Sequence, residues 1–296
     1  MTSNQVELQA AVQEYWDARP CDSDASRLAP GSRFYFAEIE VERYVYQRHV
    51  LEFLNEIDWH GKRTLEIGTG VGTDARQLIA RGADYDGINI DEGSSAVTRR
   101  ALAAFELHGR VHVMDATAMR FPDATFDAVY SFGVLHHIPN VERALVEIHR
   151  VLKKGGLLLL MVYNRSSINY QLEIRVLRRW GIHLLAVPGA ISLLSRLGFP
   201  RSTLQRHLEL YRALGRLNDE EWLSRNTDGP DNPYSRVYSH AEVKELLSGR
   251  FRILRQQVCY FDPRHWGSLA RLLPQSAIQI LGRRWGWHRV VLAQRL

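Results

Sequence analysis

The sequence predicts an α/β fold: a seven-stranded, mostly parallel sheet with helices on both faces, an N-terminal helical lid and a helical insertion after the fifth strand. Two observations carry this. Residues 62–163 alternate short apolar runs with amphipathic stretches, the pattern of a parallel sheet covered on both sides. Within them Thr64 to Asp74, T-L-E-I-G-T-G-V-G-T-D, runs an apolar strand straight into Gly68, Gly70 and Gly72. Closely spaced glycines let the backbone turn sharply and leave the next helix's first N–H groups open to a ligand.

Taken in order, Val6 to Trp59 is helical in pattern and rich in aromatics, with a polar break from Arg19 to Arg33 where Pro20, Pro30 and Gly31 end one helix. Tyr44 and Tyr46 suit packing of these helices on the sheet. Tyr15, Trp16, Tyr35 and Phe36 flank the break, and either pack in the same way or form a lid. The spacing then predicts strands at Arg63–Ile67, Tyr85–Ile90, Val111–Met114, Phe126–Ser131 and Leu157–Tyr163. Helices are expected over 73–81, 93–107 and 140–152, the last with Asn140 as N-cap and Gly155 with Gly156 as its stop. Residues 165 to 235 read as an insertion with helices at Ile168–Trp180 and Leu204–Leu217 around an apolar stretch, Ile182–Phe199. The uncharged part of that stretch, Gly181–Ser195, is shorter than the ~18 residues of a membrane span and is interrupted by Pro188 and Gly189, so no transmembrane segment is expected. A packed helical hairpin, a wall for a lipophilic acceptor and an interfacial anchor remain open for it. A turn-rich loop, 227–239, leads into a helix at Ala241–Leu247, a strand at Phe251–Phe261, a small helical insertion including Leu269–Leu281, and a last strand at His288–Gln294. The expected divisions are 1–61 (helical lid), 62–164 (ligand-binding core), 165–238 (helical insertion) and 239–296 (remainder of the core).

Composition narrows the function. Cys21 and Cys259 match no metal spacing and suggest no disulfide framework, and the N-terminus lacks the basic and apolar regions of a signal peptide. A cytoplasmic location and no metal are expected. The net charge of +5 is unevenly spread: residues 1–164 hold 17 basic and 23 acidic side chains, residues 165–296 hold 21 and 10. A basic half can face nucleic acid, anionic lipid or an acidic substrate. Since 34 of the 38 basic residues are singly scattered arginines, ordinary solvated helix faces are the simpler reading, and no nucleic-acid partner is expected.

The glycine loop, E-x-G-x-G-x-G from Glu66, differs from the G-x-G-x-x-G of dinucleotide sites. Together with V-H-V-M-D-A ending at Ala116, the run F-P-D-A-T-F-D-A-V-Y-S-F-G-V-L-H-H-I-P-N, and V-L-K-K-G-G-L-L-L-L, it resembles the class I, Rossmann-like S-adenosylmethionine-dependent methyltransferases. The resemblance implies S-adenosyl-L-methionine as cofactor, with S-adenosyl-L-homocysteine as its product. It also implies a binding set of Glu66, Gly68, Thr69, Gly70, Gly72, Asn89, Ile90, Asp115, Ala116, Ser131 and Phe132, with Tyr15 on the lid. Asp115 stands where the family accepts from the adenine amino group. Asn89 stands where the family usually has an acid for the ribose, an uncharged replacement, with Asp91 two residues on.

Methyl transfer requires in-line positioning and exclusion of water more than chemical activation by the protein. His136 and His137, after the fourth strand, are candidate bases, or one of them caps a loop. Tyr35, Phe36, Tyr163, Asn164, Arg236 and Tyr238 are candidate acceptor contacts, Arg236 for a carboxylate or phosphate. The expectation is methyl transfer to a small organic acceptor in specialised metabolism, lipophilic or carboxylate-bearing. The alternatives are an RNA or peptide acceptor and a non-catalytic cofactor-binding subunit. Nothing in the sequence fixes the oligomeric state.

Overall fold

The computed structural model describes residues 3–262 and 273–296. The chain forms two compact units, residues 1–162 with 240–256 and 290–296, and residues 163–239 with 257–289. Residues 1–61 thus belong to the same unit as the glycine loop.

In the first unit, three helices lead into the sheet: α1 (Ser3–Ala18), α2 (Arg33–Tyr46) and α3 (Arg48–Leu54). Ser32 caps α2 by accepting from Tyr35 N at 3.1 Å, which fixes the end of the polar break. The strands and helices β1 (Arg63–Ile67), α4 (Thr73–Ala80), β2 (Asp84–Asn89), α5 (Glu92–Ala104), β3 (Arg110–Val113), β4 (Phe126–Phe132), α6 (Val141–Val151) and β5 (Leu152–Asn164) follow in alternation. With β7 (Phe251–Cys259) and β8 (His288–Arg295) they give the order β3-β2-β1-β4-β5-β8-β7, and every pairing from β3 to β5 is parallel. The order reverses beside β1. In open parallel sheets, that is where a ligand crevice opens at the strands' C-terminal ends. α11 (His240–Leu247) precedes β7.

The second unit holds a π-helix (Asn169–Arg178) running into α7 (Arg179–Leu185), then α8 (Ala190–Arg196), α9 (Arg201–Leu214), α10 (Asp219–Arg225), the short β6 (Val237–Tyr238) and α12 (Gln275–Trp285). Asn218 and Glu221 form a reciprocal capping box at the start of α10.

Two expectations change, in the strand count and at the end of α6. The sheet has eight strands, because Val237 and Tyr238 pair with Tyr163 and Asn164 as a two-residue addition. Gly155 and Gly156 do not stop α6. That helix ends at Val151, where Thr125 N donates to the Val151 carbonyl at 2.7 Å, and the glycines lie in β5 as the pairing slips from Phe126–Leu152 to Ala128–Leu157. Such an offset is the signature of a bulge, and Gly155, at φ +76°, supplies the backbone for it. As Pro188 and Gly189 predict, the apolar stretch Ile182–Phe199 is broken, at Ala186–Gly189 between α7 and α8. Of the expected helix at Leu269–Leu281, residues 275–281 lie in α12, and 269–272 lie outside the described residues.

Candidate cofactor and active site

The glycine loop is held as a rigid bend. Gly68, Gly70 and Gly72 all have positive φ, +76°, +54° and +79°, which side chains with a Cβ rarely adopt. At Gly68 an added Cβ would fall 2.3 Å from Val134 Cγ2, so the loop passes directly against the chain leaving β4. Gly72 begins α4, its N–H donating to the Thr69 carbonyl at 2.8 Å.

Asn89, at the end of β2, ties this bend to the sheet. Its Oδ1 accepts from Thr69 N at 2.7 Å, and its Nδ2 donates to Thr69 Oγ1 at 2.7 Å and Ser95 Oγ at 3.3 Å. Both amide hydrogens are therefore used within the protein, and only a lone pair on Oδ1 is left for a ribose hydroxyl. Asp91 is taken as the N-cap of α5, accepting from Ser94 N at 2.6 Å. Ile90 lies half-buried between the two. After β3, Asp115 is shaped by its own turn: Oδ1 accepts from Thr117 N at 2.7 Å, and Oδ2 from Thr117 Oγ1 at 2.8 Å. Ala116 beside it is buried, as are Ser131 and Phe132 on β4.

No local sequence signal marks the side chain that meets Asp115. Gln9, on α1, donates from Nε2 to Asp115 Oδ2, while its Oε1 is buried with no hydrogen-bond partner. α1 continues over the same edge. Asp17 accepts from Gly93 N at 2.7 Å, Trp16 packs edge-on against His137 at 5.2 Å, and Tyr15 stacks edge-on with Trp16 at 5.0 Å. His136 and His137 lie buried in a 3-10 turn, their ring centres 4.3 Å apart.

Beneath the loop lies a second group of side chains that sequence reasoning missed. Asp74, in the first turn of α4, accepts from Arg43 Nε at 3.0 Å and Arg43 Nη2 at 2.6 Å, from Tyr44 at 2.8 Å and from Tyr130 at 2.8 Å. Burial opposes its charge, but the Arg43 guanidinium and these hydrogen bonds outweigh burial and hold the carboxyl below its ordinary range. Arg43 also reaches Asp22 at 3.2 Å, linking α2, the polar break and α4. Glu66 has no cation of its own. Burial, and then the negative charge of Asp74, push it up to about 8 against the hydrogen bond it accepts from Tyr85 at 2.5 Å.

Several candidate acceptor contacts take structural places instead. Tyr35 and Phe36 pack with Ile39, Val71 and Ala101 in a buried cluster, and Tyr35 Oη donates to the Ser23 carbonyl at 2.7 Å. Those rings support the glycine loop through Val71. In the second unit Asn164 is fully buried: its Nδ2 donates to the Gly286 carbonyl at 2.9 Å, and its Oδ1 accepts from Arg289 Nη2 at 2.6 Å. Both ends of its amide are engaged within the fold. Tyr163 donates to Asp228 at 2.8 Å and stacks on Trp287 at 4.2 Å. Arg236 lies 5.2 Å from the ring centre of Tyr238.

Two features fit the methionine-adenosine cofactor that the sequence implied. The glycine bend forms a cradle of bare backbone, and the buried, unpartnered Gln9 Oε1 beside Asp115 is an acceptor suited to an adenine amino group. The cradle would hold the methionine part, Asn89 Oδ1 a ribose hydroxyl, and Asp115 with Gln9 the base.

Comparison with known proteins agrees. Residues 65–160 match the model of a methyltransferase domain. The chain is 33% identical over 136 residues to a sterol 24-C-methyltransferase of Aspergillus fumigatus, covering 44% of this chain and 33% of that protein. It is 34% identical over 137 residues to a demethylmenaquinone methyltransferase of Clavibacter sepedonicus, covering 46% and 53%. The match thus spans from a third to about half the length of these relatives. The fold is similar to that of the geranyl diphosphate C-methyltransferase of Streptomyces coelicolor A3(2), solved with Mg2+, geranyl diphosphate and S-adenosyl-L-homocysteine: the TM-score is 0.55 over 98% of both chains, at 13% identity. At that identity the likeness is one of fold. Residues 65–160 thus carry a methyltransferase domain, on a Rossmann-like fold of the kind found in S-adenosylmethionine-dependent methyltransferases.

Proposed function

We propose that the protein transfers a methyl group from S-adenosyl-L-methionine to a small, lipophilic organic acceptor in specialised metabolism, working in the cytoplasm. The observation that carries the reading is the closed adenine corner, where α1 brings Gln9 onto Asp115 and leaves an amide oxygen with no partner inside the protein. The lipophilic class is supported by the names of the relatives, a sterol and a demethylmenaquinone methyltransferase, and by the geranyl diphosphate enzyme of the same fold.

When bound, the cofactor supplies a sulfonium methyl group ready for in-line displacement. The chain's own contribution is placement. The glycine backbone and Asn89 fix the loop, α1 excludes water from the strand ends, and His136 or His137 takes a proton from an acceptor that must lose one. Arg236 is the candidate partner for an acceptor carboxylate.

Calorimetry with S-adenosyl-L-homocysteine tests the cofactor site. Wild type binds it and does not bind NAD, and Gln9→Ala weakens binding by about 1 kcal/mol, roughly fivefold. Binding of NAD, or undiminished affinity in the variant, counts against the site. Incubation with cofactor and a panel of isoprenoid and other lipophilic acceptors, read as a mass gain of one methyl group, tests the acceptor class.

A further inference from the structure

The helices of residues 169–214 have two apolar sides. One is packed: Tyr170 and Ile174 of the π-helix, Ile182 and Leu185 of α7 and Leu208 of α9 are buried, and Trp222 Nε1 donates to the Ile174 carbonyl at 2.7 Å. The other is open. Leu172, Val176, Trp180 and Leu184 recur every fourth residue along the π-helix and α7 and are all exposed, Trp180 to 74%. α7 packs beside α8, where Leu193 is exposed and no residue of the helix is buried, and Leu197 and Phe199 just after it are exposed too. Single exposed apolar side chains are ordinary on a protein surface. A run of them over adjoining helices, with a tryptophan among them, marks a surface with a partner.

Charge decides which partner. Residues 169–214 carry seven arginines and two acids, a balance of +5. Glu173 is paired with Arg178, Arg179 pairs with Asp219 at 2.8 Å, and Arg206 pairs with Asp231 at 2.7 Å. Arg175, Arg196, Arg201 and Arg212 are exposed, with no acidic partner among the described residues; Arg175 and Arg196 adjoin Val176 and Leu197 in sequence, and Arg201 and Arg212 lie two residues from Phe199 and Leu214. A second copy would set like charges against each other across a two-fold interface. Nucleic acid would match the arginines but leave the leucines without a role. An anionic bilayer surface matches both, since an interfacial helix places apolar side chains at the boundary of headgroups and acyl chains while arginines pair with lipid phosphates. No helix among the described residues is long and apolar enough to cross a membrane.

We propose that the helices of residues 169–214 are an interfacial anchor that docks the protein on an anionic lipid bilayer, with Trp180, Leu184, Leu193, Leu197 and Phe199 entering the interface and Arg175, Arg196, Arg201 and Arg212 facing the phosphates. The anchor is independent of the methyl acceptor's identity, and its test involves no turnover.

Flotation of the full chain with lipid vesicles is the experiment. The protein rises with phosphatidylcholine vesicles containing phosphatidylglycerol, and on the order of tenfold less with phosphatidylcholine alone or at high salt. The double variant Trp180→Ser with Leu197→Ser loses binding to both compositions. Replacing Arg175, Arg196 and Arg201 by glutamine removes only the preference for the anionic lipid. Unchanged circular dichroism and S-adenosyl-L-homocysteine affinity show that these variants are folded. Failure of the wild type to float, or full flotation of the serine variant, overturns the proposal. So does a dimer in sedimentation analysis that Trp180→Ser abolishes, which assigns the face to a second copy. Salt-sensitive binding of bulk RNA that is lost in the glutamine variant, without flotation, assigns it to nucleic acid and overturns the proposal as well.

Discussion

Gly68 and Gly70 stand two residues apart with similar backbones and different work. A Cβ at Gly68 would overlap Val134 at 2.3 Å, whereas one at Gly70 would meet Cys21 at 3.4 Å, an ordinary contact. Gly68→Ala therefore combines left-handed strain with overpacking and should cost several kcal/mol, on the order of 3. Gly70→Ala carries only the strain, about 1 kcal/mol, but puts a methyl group on the backbone over which the cofactor would lie. Urea denaturation paired with S-adenosyl-L-homocysteine calorimetry separates the two, the first variant losing mainly stability and the second mainly affinity. Equal midpoints for both would show that Val134 yields freely. Asn89 teaches the same lesson at one side chain: its place at the end of β2 is readable from the sequence, but its hydrogen bonds to Thr69 and Ser95 depend on how the bend folds back.

At the level of elements, the parallel core was legible because each of its helices and strands carries a local signal. β1 falls at Arg63–Ile67 as expected, and Asn140 caps α6 by accepting from Arg143 N at 3.2 Å. The lid was harder. That α1 and α2 are helices follows from their patterns, but which residues face the site depends on partners far along the chain, 106 positions for Gln9 and Asp115 and 31 for Arg43 and Asp74. No local periodicity encodes such pairs, and a lone Gln or Arg on a helix reads as solvated surface. For the same reason the sequence leaves Tyr35 and Phe36 open between packing and a lid; they lie in the packing beneath the loop. The Arg43 pair gives the lid a measurable anchor. Arg43→Ala leaves Asp74 buried and charged with two tyrosine hydroxyls for company, and should destabilise the fold by about 3–5 kcal/mol. Arg43→Lys, which cannot reproduce the two-pronged contact, should fall between that variant and wild type. A denaturation midpoint unmoved by Arg43→Ala would mean that α2 is held by its apolar cluster alone.

For the molecule as a whole, buried titratable groups set a pH profile whose sign can be worked out. Glu66 titrates at about 8 in the folded chain against an ordinary 4.5, because burial and then Asp74 disfavour its charge. Between those values the folded state holds a proton that the unfolded state has released, so this group makes stability fall with rising pH, by about 1.4 kcal/mol per unit. His49 is driven the other way, down to about 3 by burial and then by Arg43, and His207 down to about 4 by burial and then by Arg178. Each of these histidines makes stability rise with pH until the ordinary 6.5 is reached. Asp74, held low, adds stability that disappears only as the pH falls through its depressed folded-state value. Together these groups place the stability maximum of the cofactor-free protein near pH 6.5, with the alkaline fall belonging to Glu66. Glu66→Gln keeps an acceptor for Tyr85 and removes the charge. Its stability relative to wild type should therefore climb across the window from 4.5 to about 8 and level off above it. Urea denaturation of both proteins at pH 5.5, 7 and 8.5 measures the difference directly. A difference that stays constant across those pH values would show that Glu66 ionises at its ordinary value inside the sheet.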